Sequence, residues 1–495
     1  MRLADLIEPV PSAYRDIRID SVVADSRAVG PGALFVCRAG TRVDGHSFVA
    51  DAVRARCSAV VGSEELTADV AALLRERGVP YVRVDEPAEA LGSVAARLSG
   101  RPSAALTVVG VTGTNGKTTI STLLYELFTL LGHRSGLIAT TGIRVGGDSR
   151  PNAYTTPDAV ELQRVLAAMV RARCRYCFME VTSHAIDQRR IAGVDFDGGI
   201  FTTLGHDHLD YHGTVEVYAA VKQRFLGDLP ASAFALANAD DERGRFMVAT
   251  TRAPVAFYGA GPEALLPWSV ERCDEHGMDI RIGPRRAHTS LVGEHNAGNL
   301  AAAITAATLL GEDLERVLAA VPRLRGARGR MQRVVSGPVL GIVDYAHTPE
   351  AVRLALATAR RLRPEATLIV VGACGGDRDT QKRAPMGGEL AAADVAIFTS
   401  DNPRSEDPRA IVATMLRGVP PARRRCVQIE LDRRRAIRLA ARVARPGDTV
   451  LLLGKGHEAS QEIGRTKHPW DDALELRAAL ARGGRHAAAD RVRAP

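Results

Sequence analysis

Nowhere in the 495 residues do about 18 apolar side chains run together, so no segment reads as a membrane-spanning helix. The N-terminus lacks an apolar stretch too and carries Asp5 and Glu8 instead, so no secretory signal peptide is expected. Cysteine is sparse: seven residues, an odd count without regular spacing, scattered through all parts of the chain. That argues against a disulfide framework and for a reducing compartment, which makes the cytoplasm the expected location. Cys174 and Cys177 form one C-x-x-C. A zinc site needs two more ligands, and the pair runs into an apolar, strand-like segment, so buried thiols are the reading to prefer. A basic arm is also missing. Lys and Arg number 65 against 57 Asp and Glu, but the excess of +8 is spread along the chain as arginine. Nucleic acid is therefore not an expected partner, whereas anionic small molecules such as nucleotides fit. There is no short internal repeat and no low-complexity tract apart from the Arg/Ala-rich tail after Ala481, which is expected to fray.

What the chain does hold is apolar material: 46% of its residues are hydrophobic and 25% charged, ample for large cores. Its length exceeds one core, and at about 100 to 200 residues per domain it predicts three. Residues 1–102 alternate short strand-like runs, Ala33 to Val36 and Ser58 to Val61, with Ala- and Arg-rich helical patterns, which reads as a small α/β domain. Gly100-Arg101-Pro102-Ser103 marks its end. Residues 103–330 carry buried runs at Leu106 to Val111, Cys177 to Val181, Gly199 to Thr203 and Phe234 to Asn238, separated by helical stretches. That alternation predicts a mostly parallel sheet covered by helices. Residues 331–495 repeat it at Val339 to Asp344, Thr367 to Gly372, Val395 to Thr399 and Thr449 to Leu453, so a Rossmann-like C-terminal domain is expected.

The strongest local signal is Gly113-Thr114-Asn115-Gly116-Lys117-Thr118-Thr119, between an apolar strand ending near Val111 and the helical pattern Ile120 to Leu131. Strand, glycine loop and helix come in the order that phosphate binding requires. Glycines let backbone amides turn inward, the helix N-terminus adds partial positive charge, Lys117 meets the β- and γ-phosphates, and a threonine hydroxyl can hold magnesium. The usual spacing would put the first glycine at Val111, whereas this chain has Gly110.

A phosphate loop names a nucleotide and not a reaction. Glu180 ends an apolar strand, where parallel sheets place ligand-facing residues, and could hold magnesium opposite the loop. Gly205-His206-Asp207-His208-Leu209-Asp210-Tyr211-His212 packs three histidines and two aspartates together. It reads as a zinc site, a solvated polar loop, or a magnesium and phosphate site, and the lack of thiolates and of H-E-x-x-H weighs against zinc.

The blocks GTNGKTT, MEVTSHAIDQRR, DHLDYHGT, Tyr218-Ala219-Ala220-Val221-Lys222, Gly293 to Asn299, Asp344-Tyr345-Ala346-His347-Thr348-Pro349, GGDRD, DNPR and GKGHE span nearly the whole chain. In this order they resemble the Mur ligase family. The resemblance implies an ATP-dependent, ADP-forming amide ligase of peptidoglycan precursor synthesis, acting through an acyl phosphate as a monomer. It implies UDP-N-acetylmuramoyl dipeptide and meso-diaminopimelate as substrates, and ATP, Mg2+ and carbon dioxide as cofactors, the last bound as a lysine carbamate.

Residue by residue, the resemblance places one magnesium on Thr118 and Glu180 and a second on His208 and Glu180, with Lys222 as the carbamylated lysine. Beside two dications a plain ammonium would be repelled, and a carbamate would be attracted. Lys117, Glu180, His208 and Lys222 form the implied catalytic set. Asn296 and Asn299 are placed at adenine, although helix capping would explain them as well. Arg330, Asp344 and His347 are placed at phosphate, ribose and nucleotide. Ser26, Thr41, Arg42 and Val43 match the segments that bind the uridine diphosphate, and Thr155, Thr156, Thr182, Gln188 and Arg190 those that grip the sugar-peptide. Arg378, Asp401, Asn402, Pro403, Arg404, Gly454 and Glu458 match the amino-acid site. There Arg404 could fork onto a carboxylate and Glu458 pair with a distal ammonium, which favours diaminopimelate over lysine.

Several positions depart from the family: Thr203, Gly205-His206, His295, Thr380-Gln381 and Trp470. They leave open a paralogous ligase joining another acid and amine. A folylpolyglutamate-synthase-like ligase and a non-catalytic regulator are the other rivals; the former would lack the N-terminal uridine-binding domain and DNPR, and the latter has no need of the intact catalytic set.

Overall fold

The computed structural model describes the backbone of residues 1–40, 43–205, 207–335 and 337–492, with side chains to residue 482. Thr41 and Arg42 of the expected precursor segment, and His206, lie outside the described residues. The chain divides into two compact units, Met1–Leu265 with Ala302–Glu312, and Leu266–Ala301 with Asp313–Pro495.

The first unit holds two sheets. Strands Ser21–Val23, Ala33–Val36, Ala59–Gly62 and Tyr81–Arg83 pair in sequence order, all parallel. The second sheet has eight strands, in the order Val255–Tyr258, Phe234–Asn238, Gly198–Phe201, Thr107–Thr112, Tyr176–Glu180, Ser135–Ala139, Gly142–Val145 and Asp148–Arg150. The first six run parallel, and the last two turn back as antiparallel edge strands. The helix Lys117–Leu130 shows why this sheet is covered. Ile120, Leu123, Leu124, Leu127 and Phe128 recur at helical spacing and are all fully buried, each stabilising the packing by about 1.5–3 kcal/mol.

In the second unit six strands follow the order Gln332–Val335, Leu340–Asp344, Thr449–Leu453, Leu368–Gly372, Val395–Phe398 and Val427–Ile429. Only the first pairs antiparallel. The α/β class is therefore as expected, and both large sheets are mixed at one edge. Sequence periodicity did not reveal the antiparallel meander Trp268–Asp274, Gly277–Ile282 and Arg285–Thr289. Its two outer strands are rich in arginine and acidic residues and mostly unburied, so their alternation is weak. The tail expected to fray continues the helix Asp472–Val492, as its alanines and arginines favour.

Candidate active site

Three neighbouring parallel strands of the eight-stranded sheet deliver one cluster from their carboxyl ends. Thr107–Thr112 lies between Gly198–Phe201 and Tyr176–Glu180, with Val111 level with Glu180 and Thr112 level with Phe201. The glycine loop, Glu180 and the segment leading to His208 thus emerge side by side, the position where open α/β sheets bind ligands.

Gly113 has φ +145, and a Cβ there would lie 1.8 Å from Thr202 Oγ1. Gly116, at φ +89, begins the helix on which Lys117, Thr118 and Thr119 form the first turn. The Thr202 hydroxyl donates to the Asn115 carbonyl, and Thr114 N donates to Thr203 O at 2.6 Å. Gly113→Ala is expected to cost roughly 2–4 kcal/mol of stability and to abolish ATP binding, since it combines overpacking with a left-handed backbone. Thermal melting with ATP titration checks it, and normal values in both would refute the close-approach account.

Two lysine amines converge on one carbonyl oxygen. Lys117 Nζ donates to Gly113 O at 2.8 Å and to Thr114 O at 2.8 Å, and Lys222 Nζ donates to Gly113 O at 2.9 Å. Lys222 is buried on the helix Val215–Gly227, with its amine 4.5 Å from the Tyr218 ring centroid. Burial, and next the repulsion of Lys117, pull it well below its ordinary value. The Tyr218 hydroxyl lies 3.1 Å from Thr114 Oγ1 and so ties the same helix to the loop.

Glu180 is buried, and its Oε1 accepts from Thr140 N at 2.7 Å. A buried carboxylate near a threonine-bearing phosphate loop offers the hard oxygens that magnesium prefers. His208 has φ 55 and packs edge-on to His184 at 4.7 Å between ring centroids. Burial, with His208 and His212 next, pulls His184 down to about 4. Among the described residues no group of three or more His, Cys, Asp and Glu could hold a metal, and the histidines meet through their rings.

The precursor residues form a connected patch. Thr155 Oγ1 is 3.0 Å from Thr140 Oγ1, and Thr156 Oγ1 donates to Glu180 O at 2.9 Å and lies 3.2 Å from Thr182 Oγ1. Arg190 donates to Gln188 Oε1 at 2.7 Å and to Thr156 O at 3.2 Å, and burial followed by the charge of Arg38 lowers its pKa. Ser26 begins a short 3-10 turn capped by Asp25, whose carboxyl the Arg27 guanidinium holds at about 2. Val43 is exposed.

In the second unit, Asp344 Oδ2 accepts from Met331 N at 2.6 Å and its Oδ1 from Ala346 N at 2.8 Å. Arg330 lies 4.7 Å over the Tyr345 ring, which also packs against His347 and His457. Asn296 sits inside the helix Glu294–Leu309, not at its cap, and turns its amide nitrogen back to Val292 O at 2.8 Å; Asn299 donates to Asn296 Oδ1 at 3.3 Å.

The amino-acid residues come from three strand ends of the six-stranded sheet. Arg378 is exposed, Pro403 is buried, and Gly454 has φ +107. Arg404, the expected fork, sets Nε on Glu462 Oε2 at 3.0 Å and Nη1 on Gly376 O at 2.7 Å. Its backbone, at φ 50, is left-handed, a strain tolerated where neighbours hold it. Glu458 meets Lys455 at 2.8 Å, a partner that reading the GKGHE block left without a role.

Family profiles match the chain in three stretches: "Mur ligase family, catalytic domain" over 18–98, "Mur ligase middle domain" over 111–307, and "Mur ligase, glutamate ligase domain" over 329–456. The chain belongs to the Mur ligase family. It is 41% identical to UDP-N-acetylmuramoyl-L-alanyl-D-glutamate–2,6-diaminopimelate ligase of Cytophaga hutchinsonii, over 97% of this chain and 99% of that one. The protein of the same name from Geobacillus kaustophilus is 40% identical, covering 98% and 100%. A solved structure of a 2,6-diaminopimelate ligase of that name superposes with a TM-score of 0.70 at 31% identity, over 98% of this chain and 99% of that one. Mur ligases are ATP-dependent acid–amino-acid ligases. Two departures from the family touch the phosphate loop through backbone atoms alone: Thr203 by its carbonyl, and Gly205 by its amide, which donates to Thr114 Oγ1 at 2.9 Å. Trp470 serves a structural bond, Nε1 to Asp472 Oδ1 at 2.7 Å.

Proposed function

We propose that this chain works in the cytoplasm and uses ATP to add meso-diaminopimelate to the D-glutamate γ-carboxylate of UDP-N-acetylmuramoyl-L-alanyl-D-glutamate. The γ-phosphoryl group of ATP passes to a carboxylate oxygen, leaving ADP and an acyl phosphate. The neutral amine of diaminopimelate attacks the acyl carbon, the bond to phosphate breaks, and the nitrogen loses its proton as the amide forms. Positioning and charge neutralisation supply most of the rate in such transfers.

Residues 1–102 hold the uridine diphosphate, through Ser26 and the 41–43 segment; 103–330 hold ATP and the sugar-peptide; and 331–495 hold the amino acid. Lys117 and the loop amides grip the phosphates, Asn296, Asn299, Arg330, Asp344 and His347 the rest of the nucleotide, and Thr155, Thr156, Thr182, Gln188 and Arg190 the peptide. Thr118, Glu180, His208 and a carbamylated Lys222 are the groups that would hold magnesium, which when bound offsets the charge between phosphate and carboxylate. The observation that carries this chemistry is the convergence of Lys117 and Lys222 on Gly113 O. Burial, and next the repulsion of Lys117, pull Lys222 well below its ordinary value, which favours the neutral amine that carbon dioxide captures. The near-full-length relatives support the choice of acid and amine.

The test is an amine screen with ATP and the UDP-dipeptide, reading ADP release and product mass. Diaminopimelate is expected to give a tripeptide product, with lysine and glutamate at least about 10-fold weaker, because lysine leaves the carboxylate-binding donors unpaired. Turnover with none of the three would defeat the assignment, and preference for another amine would favour the paralogue.

A further inference from the structure

The carboxyl ends of Val395–Phe398 and Thr449–Leu453 lead into Asp401, Asn402, Lys455 and Glu458, which close on one another inside the second unit. Lys455 stands between Gly454 and Gly456, both at positive φ, a turn that glycine makes without strain. Its side chain has no exposed surface. The amine donates to Glu458 Oε2 at 2.8 Å, to Asn402 Oδ1 at 2.9 Å and to Asp401 Oδ1 at 3.2 Å, which uses all three of its hydrogens.

Asn402 Nδ2 donates to the same Glu458 oxygen at 2.8 Å. Both donors therefore meet at Oε2, and among the described residues none reaches Oε1. The charges follow suit. Asp401 and Glu458 bring two negative charges and Lys455 one positive. The nearby buried Arg433 is committed to Asp472 at 2.6 and 2.9 Å. Among Asp401, Glu458 and Lys455 themselves one negative charge is left over, which suits a ligand cation.

We propose that Lys455 is the positioning residue of the amino-acid pocket: it pins Glu458 through Oε2 and leaves Oε1 for the distal ammonium of the incoming diaminopimelate. This rests on the diaminopimelate reading above. Removing Lys455 leaves two neighbouring carboxylates uncompensated and Glu458 without its strongest tether.

The experiment uses the full chain with ATP and the UDP-dipeptide. Lys455→Met is expected to raise KM for diaminopimelate about 10-fold or more, the worth of a charged hydrogen bond, with KM for ATP and the UDP-dipeptide within about twofold. The second arm is 2-aminopimelate, which keeps the distal carboxylate and lacks the distal ammonium, followed as substrate or competitive inhibitor. Its affinity is expected to stay within about twofold in Lys455→Met, since the lost contact is one it never makes. In a Glu458→Gln background the Met substitution is expected to add less than about twofold, the non-additivity of residues acting through one another. Equal weakening of both amines, additive effects, or a fall in kcat alone would overturn the proposal. Should Lys455→Met fail to fold by circular dichroism, Asn402→Ala removes the other Oε2 donor and is expected to weaken diaminopimelate selectively. If the wild type ignores diaminopimelate, the ligase reading falls; if it accepts it and the variant shows no selective loss, only the role of Lys455 falls.

Discussion

Lys222→Ala is expected to lower amide formation by roughly 100-fold or more, with ATP still bound through the intact loop. Short-chain carboxylic acids should restore part of the rate, because a free carboxylate can occupy the space and supply the negative charge of a carbamate. Full activity without added acid would remove this lysine from the mechanism. A linked effect appears in stability. The unfolded chain keeps the Lys222 proton up to near its ordinary 10.5, whereas burial and Lys117 release it well below that in the folded protein. Between those two points the unfolded state binds more protons, so this group's penalty on folding is full at low pH and fades as pH rises towards 10.5. Lys222→Met should remove that slope and make the ligand-free chain more stable than wild type at neutral pH, measured by urea unfolding across pH. A buried amine that costs stability is a common mark of a functional position.

Glu180→Gln is expected to lower turnover by roughly 100- to 1,000-fold and to raise the magnesium concentration that gives half the maximal rate. The fold should survive. A glutamine keeps the shape and still offers Oε1 to the Thr140 amide, which Glu180 accepts at 2.7 Å, so that buried donor keeps its partner. What is lost is the anion. A melting temperature close to wild type with an altered magnesium dependence would separate this outcome from simple unfolding. Unchanged magnesium dependence would show that Glu180 holds Thr140 and nothing else.

Much of the site was legible along the chain because its parts are local. The strand Thr107–Thr112, the glycine loop and the helix Lys117–Leu130 are contiguous, and each carries its own pattern. Glu180 could be placed because it ends an apolar strand, and parallel sheets put ligand residues at such ends. Other parts escaped. Arg404 reads as a carboxylate fork, and nothing near it in sequence says that its Nε also meets Glu462, 58 residues away. Lys455 lies in a recognisable block, yet nothing near it in sequence says that its amine would reach Asp401, 54 residues earlier. The departures at Thr203 and Gly205 gave no sign that the backbone carbonyl of one and the amide of the other would bond to Thr114 of the phosphate loop.

By itself the sequence determined the α/β class, the phosphate loop, the family and the set of groups available for chemistry, because periodicity, glycine placement and block order are properties of neighbours along a chain. Only the tertiary structure decided the state of those groups. Lys117 and Gly113 are 4 residues apart and Lys222 is 109 from the same carbonyl, yet both amines stand within 2.9 Å of it. Coulomb repulsion and desolvation depend on separation in space and on buried surroundings, and neither can be read from position along the polypeptide.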